Sequence, residues 1–342
     1  MAMAKRNVVA MAIAFAVVLI LAVVIGLTVA KFMAAKHPPF PIDVVCMWVD
    51  GSDRKWNTDL RTHFYADFKL HNKCGLVHSK LREPEEVPPG TKDELYYNCM
   101  SIAKFMPWVR TYFLVTARPH KPWWWPPSGK IGSMRMQLIH HDEIFDDPSI
   151  LPVFNSSHIH HYLTNIPGLA ERFVLYDDDF FVGQPMKPNH FFTDDGMKAV
   201  VRLYPVDISA LQEGNWKTLC QNTISVAKDT FLHGAHPMFP EHVGYPMFKT
   251  ALRHITHVIR KPHLASLHRF RSDNDIVSQY LAIMLMWRMG MTVAPPHTFV
   301  FGFIKVHSKL RAKDVFPRPP HQFCLNDRIT KDDIEYLEKM VK

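Results

Sequence analysis

The chain has 342 residues, 47% of them hydrophobic and 21% charged, with a formal net charge of +8. Lys5, Arg6, Lys31 and Lys36 supply four of those charges with no acid among them, which leaves only +4 for everything after residue 36. That mild balance, with no clustered basic stripe, excludes nucleic acid as a partner and suits a small anionic substrate. Five widely spaced cysteines with no C-x-x-C pair exclude a zinc ribbon or a thioredoxin-like site.

The first element in chain order is Val8 to Ala30, an uncharged run made, apart from Gly26 and Thr28, of Ala, Val, Ile, Leu, Met and Phe. At roughly 1.5 Å per helical residue it is long enough to cross a bilayer. A cleaved signal peptide would have an apolar region of only about 7 to 15 residues, so the run predicts an uncleaved signal anchor. Lys5, Arg6 and the amino terminus precede it and weakly place that end in the cytosol. The expected organisation is a cytosolic tail over 1–7, the anchor over 8–30, a proline-stiffened stem over 31–41 and a lumenal domain over 42–342. Such a type II protein belongs in the Golgi or another secretory membrane. The roughly 300 residues beyond the anchor suffice for one large α/β domain or two small ones.

Ile42 to Val49 reads as the first core strand and ends in a turn carrying Asp50 and Asp53. Helical spacing follows over Lys55 to Leu70, and Lys80 to Pro89 is a loop. Thr91-Lys-Asp-Glu94 has capping-box spacing before an apolar series that stops at Pro107. Strands are expected at Thr111 to Thr116 and Met136 to His140, with a Trp123-Trp124-Trp125 loop between them. A short helix over Ser157 to Leu163 precedes the strand Phe173 to Tyr176. Helices then cover Tyr245 to Ile259 and Asp273 to Met289, followed by a strand over Thr298 to Val306 and a terminal helix from Thr330. Strands alternating with helices predict an α/β fold, a mostly parallel nucleotide-binding-type sheet flanked by helices and preceded by one transmembrane helix.

Arg172-Phe-Val-Leu-Tyr-Asp177-Asp178-Asp179-Phe-Phe-Val182-Gly183 sets three carboxylates between two strand-forming blocks. In open α/β sheets ligands bind beyond the carboxyl ends of strands, and Mg²⁺ or Mn²⁺ favours carboxylates together with substrate phosphates. A solvated acidic turn is the other reading of the run on its own. His140, His141, His158, His160 and His161 are dense, but no Cys or carboxylate spacing beside them supports a zinc site.

The blocks Asp43 to Asp53, Asp93-Glu94-Leu95 to Pro107-Trp108-Val109-Arg110, Leu151 to Ser156, Ile166-Pro-Gly-Leu169 and Tyr176 to Asp179 resemble, in that order, the Stealth family. The resemblance continues through His233-Gly-Ala-His236-Pro237 and Arg269-Phe-Arg-Ser-Asp273 to Phe323-Cys-Leu-Asn-Asp327. It implies a sugar-1-phosphate transferase. A glycan hydroxyl would attack the phosphorus beside the sugar of a nucleotide-diphosphate sugar, releasing nucleoside monophosphate and leaving a phosphodiester with the donor anomer kept.

The resemblance also implies roles. Asp178 and Asp179 would hold Mg²⁺ (or Mn²⁺) and the diphosphate, with Asp50 and Asp53 lining the same crevice. His233 would deprotonate the acceptor, or exchange that role with His236, and Arg271 would hold the donor phosphates beside an equally basic Arg269. Trp48, Arg110, Asn155 and Ser156 would contact substrate, so that the sequon Asn155-Ser156-Ser157 stays unglycosylated. Three positions depart from the family pattern: Asp177 stands where Asn is common, His160 where Glu is, and Ala235 where Pro is. The long insertions of the animal lysosomal-enzyme transferase are missing, which favours a glycan acceptor over a folded protein. A conventional metal-dependent glycosyltransferase and a noncatalytic glycan-binding module are the competing functions.

Overall fold

The computed structural model describes residues 38–70, 93–211, 214–263, 267–304, 311–326 and 330–342. The expected anchor at Val8 to Ala30, the loop at Lys80 to Pro89, Thr91 of the capping box and Asp327 lie outside the described residues. Among the described residues, no helix is long and apolar enough to cross a membrane. The chain separates into Met1–Phe40 and Pro41–Lys342, and the second unit carries everything that follows.

In chain order the strands are β1 Ile42–Met47, β2 Thr111–Thr116, β3 Lys130–Ile131, β4 Met134–His140, β5 Arg172–Asp177, β6 Phe180–Val182, β7 Ala199–Val200, β8 Leu203–Pro205, β9 Met238–Pro240, β10 Tyr245–Phe248, β11 Thr292–Val293, β12 Phe301–Ile304 and β13 Gln322–Leu325. The α-helices are α1 Arg54–Leu70, α2 Glu94–Phe105, α3 Ser156–His160, α4 Asn215–Ala227, α5 Lys249–His263, α6 Ser278–Arg288, α7 Ala312–Val315 and α8 Lys331–Val341.

The main sheet runs β10-β5-β1-β2-β4-β3. Its four central strands are parallel and its two edge strands antiparallel. β1 is buried at all but its last residue and β2 throughout, as expected of strands covered on both faces, which carry continuous rather than alternating apolar runs. The predicted α/β architecture with a mostly parallel, helix-flanked sheet is therefore present.

Some element boundaries differ from expectation. Tyr245–Phe248, expected as helix, is strand β10 against β5, and α5 starts only at Lys249. Pro246 has no N–H to offer a ladder, and the sheet's edge is where that lack is tolerated. α6 starts at Ser278 rather than Asp273 because residues 272–275 form a side-chain-bonded turn, in which Ser272 N donates to Asp275 Oδ2 at 2.8 Å. Asp93 caps α2 by accepting from Tyr96 N. α4 was not anticipated.

A second sheet, β12-β13-β6, packs beside the first. Only Asp178 and Asp179 separate β5 from β6, so the acidic turn is the hinge line between the two sheets. Below it, Phe181, Phe323, Leu325, Tyr97 and Leu337 form one buried cluster with Met340. Gly244, just before β10, has no alternative there. A Cβ would stand 2.5 Å from Tyr176 Cζ and 2.7 Å from Gln322 Oε1.

Candidate active site

Parallel pairing fixes which loops meet. Met47 lies opposite both Asp177 and Val115, and Thr116 opposite His140. The carboxyl ends of β5, β1, β2 and β4 therefore deliver Asp177–Asp179, Trp48–Asp53, His120 and His140–His141 to one edge of the sheet, where α/β folds place their ligands.

The acidic turn is held from beneath by α2. Asn98 Nδ2 donates to Asp177 O at 3.1 Å and to Phe180 O at 2.7 Å, while its Oδ1 accepts from Tyr112 Oη at 2.8 Å. Leu325 N donates to Asp179 O, and the Cys324 thiol donates to Asp179 Oδ2 at 3.5 Å. Burial, then the Asp178 charge, pushes Asp177 up to about 7, with Arg271 opposing. Asp179 is also raised, by burial first and then by Asp177, Asp178 and Glu94. The turn thus crowds three carboxylates together, so that burial and mutual repulsion oppose ionisation of Asp177 and Asp179 while Arg271 favours that of Asp177. Among the described residues no three His, Cys, Asp or Glu side chains form a ready metal cage, so an ion here would complete its shell from substrate and water.

Arg271 lies within electrostatic reach of this turn. Its Nη2 donates to Ser156 Oγ at 3.0 Å, and its charge interacts with those of Asp177 and Asp275. Protein crowds the guanidinium enough for burial to lower its pKa, yet the residue keeps a solvent-exposed face, the situation of a cation on a cleft floor. Behind it, Asn155 is fully buried. Its Nδ2 donates to Asp275 Oδ2 at 2.6 Å and to the His268 and Phe270 carbonyls at 3.3 Å, and its Oδ1 accepts from Ser157 N to cap α3. Burial raises Asp275 to about 7, and its Oδ1 has no hydrogen-bond partner. His160, also buried beside Arg271, has neither ring nitrogen paired, and burial lowers it to about 3.

The β1 turn forms the opposite wall. Asp50 Oδ1 accepts from Ser52 N and Oγ, and Asp50 N donates to His120 Nδ1 at 3.2 Å. Asp53 Oδ1 caps α1 by accepting from Trp56 N at 2.6 Å, while its Oδ2 lies 3.8 Å from His120 Nε2. The Trp48 and Trp56 rings flank the same imidazole, at centroid distances of 6.2 and 6.4 Å. Burial lowers the His120 pKa against the pull of Asp53 and Asp50.

The description of Stealth protein CR2, conserved region 2, matches residues 90–200, the span that ends just beyond the acidic turn. Similarity extends well beyond that block: the chain is 28% identical to the capsular polysaccharide phosphotransferase fcs1 of Haemophilus influenzae over 314 residues, covering 88% of this chain and 82% of that protein. The chain is thus similar to Stealth proteins in this conserved region and to capsular polysaccharide phosphotransferases along most of its length. Capsular polysaccharide phosphotransferase LcbA of Neisseria meningitidis is likewise 28% identical, over 335 residues that cover 92% of this chain and 86% of the relative. Among solved structures, the apo form of mouse xyloside xylosyltransferase 1 aligns with 83% of this chain and 97% of its own at 10% identity, with a TM-score of 0.41. A likeness that slight bears no weight.

Of the residues expected to act, the structure gathers Trp48, Asp50, Asp53, Asp178 and Asp179 on one sheet edge, and links Ser156 to Arg271. Arg110 is a correction. It lies at the opposite edge, donating to both oxygens of buried Asp43 and to Gly168 O, and so ties β1 to β2 instead of reaching substrate. Asn155 is fully buried, where it serves the loop that carries Arg271. Arg269 Nη1 donates to His63 Nδ1 at 2.9 Å, which turns it to the α1 side, away from the bond to Ser156 that Arg271 makes.

His233 and His236 are exposed, and no hydrogen bond, ion pair or ring contact ties either to the acidic turn. His233 does hold a left-handed backbone, φ 44° and ψ 50°, the kind of strain that proteins keep at functional positions. Sequence reasoning missed Asp275, His120 and Asn98. Asn98, a polar residue inside the apolar α2 series, was a usable signal, whereas nothing local marks Asp275.

Proposed function

We propose that this protein transfers a sugar 1-phosphate from a nucleotide-diphosphate sugar to a glycan hydroxyl, releasing nucleoside monophosphate. The observation that carries the reading is Arg271 within electrostatic reach of the acidic turn. A cation and an acidic grip converging on one crevice suit a diphosphate, whose transfer depends on positioning and on stabilising equatorial oxygen charge. The named activity of the two relatives, along most of the chain, agrees with it.

Asp178 and Asp179 fit Mg²⁺ or Mn²⁺ because their oxygens are hard donors and three carboxylates crowd one turn. Such an ion would neutralise the diphosphate when bound. Arg271 would hold the donor phosphate from the other side, oriented by Ser156. Trp48 and Trp56 would wall the crevice, and Asp50 and Asp53 would stiffen its rim. His233 remains the acceptor's general base in this proposal, with His236 its neighbour in the same exposed turn.

Incubating the protein with a panel of nucleotide sugars, a glycan acceptor and Mg²⁺ checks the reaction. Nucleoside monophosphate should appear together with an acid-labile product that retains phosphorus. Release of nucleoside diphosphate, with no phosphorus in the glycan, would instead make the protein a glycosyltransferase and sink this reading.

A further inference from the structure

Arg271 sits on a loop whose conformation is set by one buried carboxylate. Asp275 is 2% exposed, and one oxygen, Oδ2, takes both of its hydrogen bonds, from Ser272 N and Asn155 Nδ2. Asn155 in turn grips the carbonyls of His268 and Phe270, on either side of Arg269 and immediately before Arg271. The loop is fastened further by Phe154 N donating to Arg269 O and by Asn222 Nδ2 donating to Asp273 O and Asp275 O. All of these bonds converge on the 268–275 backbone, which presents Arg271 to Ser156.

No direct ion pair of 4 Å or less joins Asp275 to Arg271, although their charges interact. The carboxylate therefore works on the guanidinium through the loop. Burying a charge without a partner is costly, and a protein that needed only a tight turn could place an amide there instead. Charge adds strength to the two bonds that Oδ2 accepts, which makes the loop stiffer than an amide would.

We propose that Asp275 is a positioning residue for Arg271, fixing the 268–275 loop through Asn155 and Ser272 so that the guanidinium is held within reach of the acidic turn. This rests on the reading of Arg271 as the cation that holds the donor diphosphate. Asp275 touches no substrate. Its role is to remove freedom from a long side chain before the ligand arrives, and a binding group misplaced by about 1 Å can lose up to a hundredfold in rate.

Asp275→Asn separates this role from two others by sign. The substitution keeps the shape and removes a negative charge near an anion site, so electrostatics alone would make inorganic pyrophosphate bind more tightly. A positioning role makes it bind more weakly. Calorimetric titration of pyrophosphate should show an affinity loss of about tenfold in Asp275→Asn. Arg271→Ala should lose binding altogether, and exposed Asp273→Asn should behave as wild type. Melting temperature at pH 7 should change little in Asp275→Asn, since the weaker bonds to an amide are offset by relief from burying a carboxylate whose ionisation burial opposes. In steady state, the variant's donor KM should rise about tenfold with a smaller change in kcat.

Unchanged or tighter pyrophosphate binding in Asp275→Asn overturns the proposal. So does a weakening that arrives with a lowered melting temperature, or wild-type binding that does not depend on Arg271. Failure of the functional reading looks different: wild-type protein would release no nucleoside monophosphate from any donor, while the pyrophosphate titrations would still report on the loop.

Discussion

Asp177 and Asp179 are carboxylates for which burial and mutual repulsion both oppose ionisation, and Asp177 is raised from 3.8 to about 7. Between those values the folded protein binds a proton that the unfolded chain has released. The stabilisation this gives is complete below about pH 4 and is lost as pH rises through about 7. At 1.36 kcal/mol per unit, the ceiling for Asp177 is about 4 kcal/mol. Asp275, raised to about 7 mainly by burial, acts in the same direction. The melting temperature is therefore expected to decline from pH 5 to pH 8, and Asp177→Asn should flatten that decline and raise the value at pH 8. Millimolar Mg²⁺ should raise the melting temperature at pH 8 and have little effect at pH 5, where protons already neutralise the turn. A pH-independent melting temperature that ignores Mg²⁺ would remove the acidic turn as a cation site.

At the scale of elements, the fold depends on how the two ends of the parallel strands are treated. The carboxyl ends hold the crevice, and the amino ends are locked by Asp43, which accepts from Arg110 and from Ala170 N at 2.7 Å. Asp43 is wholly buried, so Arg110→Ala would leave an unpaired charge at the base of the sheet, at a cost of about 3–5 kcal/mol. Chemical denaturation should show that loss, while kcat of the remaining folded protein stays near wild type; a kcat collapse in folded protein would return Arg110 to the substrate site. Sequence alone placed β1, β2 and β5 because each holds four consecutive apolar residues, Val44 to Met47, Tyr112 to Val115 and Phe173 to Tyr176, which read plainly as covered strands. Tyr245–Phe248 was misread because an apolar run joined to a helix shows no boundary until its sheet partner is known. Asp275 was invisible for a related reason. Its meaning comes from Asn155, 120 positions earlier in the chain, and no local pattern encodes that pairing.

For the whole molecule, we propose a lumenal location, motivated by the uncharged Val8 to Ala30 run with basic residues before it. N-glycosylation at the single sequon would ordinarily be the simplest marker of that topology. Here it is a poor one. Asn155 is completely buried, and its Nδ2, the atom a glycan would occupy, serves the Asp275 clamp. The folded protein is therefore expected to show no mobility shift on endoglycosidase treatment even if the domain is lumenal. Protease protection does not share that ambiguity. In sealed secretory vesicles the carboxyl-terminal domain should survive added protease and be digested only after detergent, while a tag placed ahead of Met1 is removed in both conditions. Digestion of the domain in intact vesicles would reverse the orientation and place the acceptor glycan on the cytosolic side.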